Sequence, residues 1–115
     1  MVNVIMHGCN GKMGHNIAAL IADDPEITLA AGVDAFDEGK NPFPVFKNIR
    51  DCDREADVII DFSAAVAVDG VLDYAAAKKI PLVECTTGLS EEQLAHLEEA
   101  SKQTAVLRSA NMSLG

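Results

Sequence analysis

The sequence predicts a single α/β domain, residues 1–115, built on a doubly wound parallel sheet. Three observations carry this. Short apolar runs rich in Val and Ile alternate with stretches of helical period. Glycine, proline and a Ser-x-x-Gln string punctuate the junctions between them. And 115 residues with 49% hydrophobic content suffice for one domain with a real core. Strands alternating with helices form crossover units, which require a sheet covered on both faces.

Residues 2–6 form an apolar run that suits a buried strand. Gly8, Gly11 and Gly14 follow. Met13, Ile17, Leu20 and Ile21 then recur at helical spacing, predicting an amphipathic helix that ends before Asp24-Pro25. Residues 27–33 read as a second strand. Residues 34–57 are irregular, with Gly39, Pro42 and Pro44, and leave room for a short strand near 45–49. Residues 58–62 form a buried strand. Ser63 is placed to cap a helix over 65–79, with Ala67, Val71, Tyr74 and Ala75 on one face. Residues 81–85 form the next strand. Ser90 and Gln93 have the spacing of a capping box and open a helix to about 102, with Leu94 and Leu97 inward. Residues 105–107 form a last strand.

Nine Lys and Arg against 18 Asp and Glu leave a net charge of −9. A surface this acidic argues against nucleic acid or anionic membrane as a partner, because phosphate backbones are bound through basic side chains. It is compatible with a local phosphate site made of backbone N–H groups. No run approaches the roughly 20 apolar residues of a membrane span, and residues 1–8 lack the pattern of a signal peptide. Cys9, Cys52 and Cys85 are odd in number and contain no Cys-x-x-Cys pair. Reduced thiols and a cytoplasmic location are expected. No His, Cys, Asp and Glu set has metal-ligand spacing, so no metal is expected.

Gly8-x-x-Gly11-x-x-Gly14 lies between a strand and a helix. Glycines there permit a tight turn and close backbone approach, and the helix start offers unpaired N–H groups to a pyrophosphate. Asn10 stands where the Rossmann fingerprint has its second glycine, and Asn tolerates positive φ. The loop is not a Walker A motif, since the spacing is short and Met13 replaces Ser or Thr. Asp34 ends the second strand, 20 residues after Gly14. That is where a ribose-binding acid is expected. Strand, glycines, helix, strand and acid in this order predict a Rossmann-like dinucleotide-binding domain. Asp34 and the absence of arginine beside it favour NADH. Lys12 in the loop keeps NADPH, or use of both, open.

Four strings in order resemble the dihydrodipicolinate reductases of the lysine and diaminopimelate pathway. They are residues 4–14 (VIMHGCNGKMG), Asp61-Phe62-Ser63, Thr86-Thr87-Gly88 and Ala110-Asn111-Met112-Ser113-Leu114-Gly115. The resemblance spans essentially the whole chain and implies roles. Gly8, Asn10, Gly11, Lys12, Met13 and Gly14 would hold the pyrophosphate side, and Asp34 the adenosine ribose. Phe62, Ser63, Thr86, Thr87 and Gly88 would line the nicotinamide half. Ala110, Asn111 and Met112 would contact the nicotinamide and form a hinge, and Thr87 would also touch substrate. The full-length enzyme so implied is a homotetramer that transfers hydride from NAD(P)H to a cyclic, unsaturated dicarboxylate imine.

Two departures qualify the resemblance. Cys85 stands where the family usually has glycine, and is expected to act as a small buried residue. The family's second domain, with its His-His pair and Lys-x-x-x-Pro-Ser-Gly-Thr-like motif, has no counterpart in these 115 residues. The chain is therefore expected to carry the cofactor half, with no catalytic residue of its own. By itself it is expected to be inactive and monomeric or weakly dimeric. His7 is expected to pack locally, and His96 to lie exposed on the capped helix. Two other readings stay open: a related aspartate or homoserine-type dehydrogenase, and a non-catalytic NAD(P)-sensing module.

Overall fold

The computed structural model describes residues 2–34, 43–63, 65–86 and 88–108, with side chains for all of these except 12 and 13. Six strands form one sheet: β1 (Val2–His7), β2 (Ile27–Val33), β3 (Val45–Phe46), β4 (Val58–Asp61), β5 (Leu82–Glu84) and β6 (Val106–Arg108). Their order is β3-β2-β1-β4-β5-β6 and every pairing is parallel. Helix α1 (Lys12–Ala22) covers one face, and α2 (Val68–Lys78) and α3 (Glu91–Ser101) cover the other. This is the doubly wound fold expected of the alternating pattern.

Alternation along the strands divides the core. Val4 and Met6 of β1 pack with Ile17 and Ile21 of α1. Ile5 of β1, Ile59 of β4 and Leu82 of β5 point the other way, onto Val68, Val71, Leu72 and Ala75 of α2. Fully burying one such side chain is worth about 1.5–3 kcal/mol. The two-sided burial explains why these strands read as continuous apolar runs.

Three local expectations are corrected. Leu20 is 67% exposed, because α1 rests on its Ile17–Ile21 edge and Leu20 lies about 100° around the helix from Ile21. Ser63 does not cap α2: a 3₁₀ turn over Ala65–Ala67 comes first, and the cap position falls to Ala67, which makes no side-chain cap bond. The extra turn also rolls α2, so that Val68 and Leu72 join Val71 and Ala75 in the buried stripe while Tyr74 is half-buried. Its hydroxyl donates to the Cys52 carbonyl at 3.1 Å. The capping box of α3 is present as expected, Ser90 Oγ accepting from Gln93 N–H and Gln93 Oε1 from Ser90 N–H, both at 3.1 Å.

His96 departs from expectation most usefully. Its ring bridges the two helices, Nδ1 lying 2.7 Å from Asp69 and Nε2 2.7 Å from Asp73. Both nitrogens meet carboxylates, which accept only, so the geometry favours the doubly protonated imidazolium form. The Asp69 hydrogen bond raises its pKa above the usual histidine range against partial desolvation, with Asp73 adding to the rise. A raised folded pKa contributes stability that is complete below the unfolded value and is lost as pH climbs through the folded one. His96→Ala should therefore destabilise the chain more at pH 6 than at pH 9, as urea midpoints at the two pH values will report.

α2 ends on Lys79 at φ 55°, the left-handed position usually given to glycine. Lys79→Gly removes the Cβ conflict there and should stabilise the fold by about 1 kcal/mol, measured by urea denaturation.

Candidate functional site

Strand order reverses at β1, whose neighbours are β2 on one side and β4 on the other. Chains leaving the C-terminal ends of β1 and β4 therefore diverge to opposite faces, and a crevice opens between them. A cavity of about 320 Å³ lies there, bordered by Gly8, Gly11, Asp34, Lys47, Ser63 and Val66 among others.

The three glycines of the loop serve different purposes. Gly8 has φ +85°, and a Cβ on it would stand 2.8 Å from Ser63 N and 2.9 Å from the Phe62 carbonyl. Gly14 brings α1 against the loop: a Cβ there would strike Gly8 O and lie 2.7 Å from Cys9 O. Gly11 is different. It is exposed, its φ of −75° suits any residue, and a Cβ would meet only Gly8 O at an ordinary 3.5 Å. Its openness faces the crevice rather than the protein. Gly11 is also the cap residue of α1, with no side-chain cap and no acid in the first turn. The N–H groups of that turn are thus presented to an anion.

Asp34 closes β2 at the crevice rim, its Oδ2 accepting the Asn10 N–H at 3.0 Å. Asn10 does not use positive φ, contrary to expectation, since Lys79 is the one non-glycine in that region among the described residues. Its N–H bond to Asp34 holds the turn instead. Lys47, just past β3, is exposed and shares the cavity wall with Asp34. Val66, 89% exposed, forms an apolar lip. Both were missed in sequence, where nothing local distinguishes them from an ordinary surface lysine and a helix valine.

Beneath the crevice runs a buried polar row. His7, Asp61 and Glu84 are register partners across β1, β4 and β5. Asp61 is wholly buried. Its Oδ1 lies 2.8 Å from His7 Nδ1 and accepts Ser63 N–H at 3.0 Å. The Thr86 hydroxyl stands 2.9 Å from the Ser63 carbonyl oxygen and 3.3 Å from Asp61 Oδ2. Burial alone would raise the Asp61 pKa. The His7 hydrogen bond and the electrostatic pull of its ring, with the polar neighbours Glu84 and Ser63, outweigh it and hold the group at about 2. Asp61 is therefore ionised and only accepts, so His7 Nδ1 carries the proton. Phe62, Ser63 and Thr86 are brought together here, above Asp61.

Glu84 is pushed the other way, up to about 9, by burial and by the Asp61 carboxylate beside it. Cys85 is buried, and its thiol is pushed up to about 11 by burial and by the carboxylates of Glu84 and Asp61. It sits as a small inert side chain, as expected of it, and not as a thiolate. Gly88 has φ +75° with open space around it. Lys12 and Met13 begin α1, but their side chains, like Thr87, Ala110, Asn111 and Met112, lie outside the described residues. Among the described residues no three His, Cys, Asp or Glu side chains converge on a metal site, and no helix is long and apolar enough to cross a membrane.

Residues 2–112 match the family model described as "Dihydrodipicolinate reductase, N-terminus". The 4-hydroxy-tetrahydrodipicolinate reductase of Caldanaerobacter subterraneus subsp. tengcongensis is 50% identical over 119 residues, covering 100% of this chain and 45% of that protein. The chain thus spans about half the length of the relatives it matches. Among solved structures, dipicolinate-bound dihydrodipicolinate reductase from Paenisporosarcina sp. TG-14 superimposes with a TM-score of 0.83 at 22% identity, over 99% of this chain and 49% of that one. Homoserine dehydrogenase of S. aureus gives 0.76 at 16% identity, over 95% and 32%. At these identities the structures share the fold.

The glycine geometry makes a separable prediction. Gly14→Ala forces backbone apart and should destabilise by about 1–3 kcal/mol. Gly11→Val meets open space and should change stability by no more than about 1 kcal/mol. Urea denaturation of the two variants will compare them.

Proposed function

The chain belongs to the family of dihydrodipicolinate reductase N-terminal domains, and from that premise we propose that it is the half that binds a nicotinamide dinucleotide, NADH or NADPH, for such a reductase. One observation carries the reading: the switch-point crevice combines an open glycine at an uncapped helix start with an acid at the end of β2. The residues fit the cofactor. The first-turn N–H groups of α1 and the bare edge of Gly11 suit a pyrophosphate, with Lys12 beside them. Asp34 is at the position of a ribose acceptor. In this reading Phe62, Ser63, Thr86, Thr87 and Gly88 serve the nicotinamide half, Ala110, Asn111 and Met112 serve the nicotinamide and the hinge, and Thr87 is also assigned to substrate contact.

When bound, the dinucleotide supplies hydride for reduction of a cyclic, unsaturated dicarboxylate imine in lysine and diaminopimelate biosynthesis. The chain's own part is to bind and orient. Asp34 favours a free 2′-hydroxyl, while Lys47 on the same wall offers a cation to a 2′-phosphate. Use of both dinucleotides, with a lean to NADH, follows from that pair. A soluble cytoplasmic domain, monomeric or weakly dimeric by itself, completes the reading. The likeness to homoserine dehydrogenase is one of fold, whereas the match over residues 2–112 names the reductase family, which favours the reductase.

Calorimetric titration of the chain with NADH and NADPH tests this. One-to-one binding of at least one dinucleotide is expected, abolished in Gly11→Val while that variant stays folded. Asp34→Ala should weaken NADH roughly tenfold or more, the worth of a charge-assisted hydrogen bond, and Lys47→Ala should weaken NADPH selectively. A folded chain that binds neither dinucleotide overturns the proposal.

A further inference from the structure

Among the described residues, Glu84 is the one buried carboxyl the reading above leaves without a task. It is wholly buried at the end of β5. Its Oε1 accepts the Thr86 N–H at 3.1 Å. Its Oε2 is buried and receives no donor. On one flank its register partner is Asp61, itself bonded to His7, and on the other Arg108 of β6, whose side chain is exposed. Cys85 follows in the chain as a neutral thiol. The helices on this face bury Val68, Val71, Leu72 and Ala75 of α2 and Ala100 of α3. Their Asp, Glu and Lys side chains are all exposed. The charge facing Glu84 is therefore the Asp61 carboxylate.

Two ionised carboxylates cannot share such a site. A proton on the orphan oxygen resolves both problems: it turns Oε2 from an acceptor without a donor into a donor, and Asp61 is the acceptor beside it. Glu84 then joins two loops. Through Oε1 it holds the backbone of Thr86, and through its proton it holds Asp61, which holds Ser63. Loops 62–63 and 85–86 are the two that the dinucleotide reading assigns to the nicotinamide half.

We propose that Glu84 is a positioning residue for the cofactor site, a buried neutral acid whose proton ties the loop after β5 to the loop after β4. The inference rests on the dinucleotide reading and adds a consequence to it: binding requires the Glu84 proton. Loss of that proton leaves two adjacent carboxylates, separates Thr86 from Ser63 and weakens the platform.

The test is the affinity of the full chain for NADH from pH 6 to pH 10, for wild type, Glu84→Gln and Glu84→Leu. Wild-type affinity should be level to about pH 8 and fall above about pH 9, by up to roughly tenfold per pH unit for one linked proton. Glu84→Gln keeps a donor toward Asp61 and an acceptor for Thr86 but cannot ionise. It should bind like wild type at pH 7 and lose the alkaline fall. Glu84→Leu, shown folded by circular dichroism, should bind more weakly at every pH. The infrared spectrum should carry a neutral-carboxyl band at pH 7 that is absent from Glu84→Gln, with or without dinucleotide. A level wild-type profile, an alkaline fall that survives in Glu84→Gln, or absence of that band overturns the role of Glu84 alone. A chain that binds no dinucleotide at any pH overturns both readings.

Discussion

The ionised carboxylate of Asp61 is the interaction on which the ligand-bearing edge depends. It sits wholly buried between the central strand and its neighbours, where an unpaired charge would be strongly disfavoured. Its stability there comes from converging donors: the His7 ring from β1, the Ser63 N–H from the following loop, and the Thr86 hydroxyl from the loop after β5. Each donor belongs to a different segment of chain. Satisfying one charge therefore aligns three segments at the point where the strand order reverses. Removing one member of such a buried set is destabilising by about 3–5 kcal/mol in comparable cases, because the remaining charge is left without compensation. The arrangement constrains geometry more than it adds net stability.

Gly8 contributes the complementary constraint. Its missing side chain lets the backbone of residues 62–63 lie directly against the glycine loop. The crevice thus has one wall of polar backbone pulled down by Asp61 and another set by van der Waals contact with Gly8. Gly14 fixes the angle at which α1 meets the loop. Only Gly11 would meet nothing closer than an ordinary van der Waals contact, so the sequence Gly-x-x-Gly-x-x-Gly separates into two structural glycines and one that keeps space open.

Much of this was legible in the sequence because it is local. The βαβ order, the Asp34 position 20 residues after Gly14 and the Ser90–Gln93 box all follow from short-range spacing. The failures share a cause. Leu20 fits the helical period, but only tertiary contact decides which edge of α1 meets the sheet. Ser63 has the chemistry of a cap, yet a 3₁₀ turn over Ala65–Ala67 delays the helix and moves the cap position to Ala67. His96 looks solvated until α2 is packed beside it with Asp69 and Asp73 facing across. The row His7–Asp61–Glu84 requires the parallel register of strands separated by long crossovers, and no period within a strand encodes that. Lys47 comes to share a cavity wall with Asp34 through the pairing of β2 with β3, which is equally invisible in local sequence. The motifs of the cofactor loop are properties of a few neighbouring residues, whereas its supports are properties of the sheet.

The all-parallel order also governs how the chain comes to be folded. No two neighbouring strands can form a hairpin, so every pairing waits for a crossover to be completed. His7 and Asp61 are 54 residues apart in sequence, and Glu84 is later still. During synthesis the glycine loop precedes the carboxylate bonded to His7, and the Thr86 hydroxyl that reaches that carboxylate comes later still. Until β5 is seated, β1 and β4 would close over a charge without its full set of donors. The central pairing therefore gains its last donor only when the third strand joins. This makes the C-terminal edge of the sheet a late, cooperative event in folding, dominated by long-range closure.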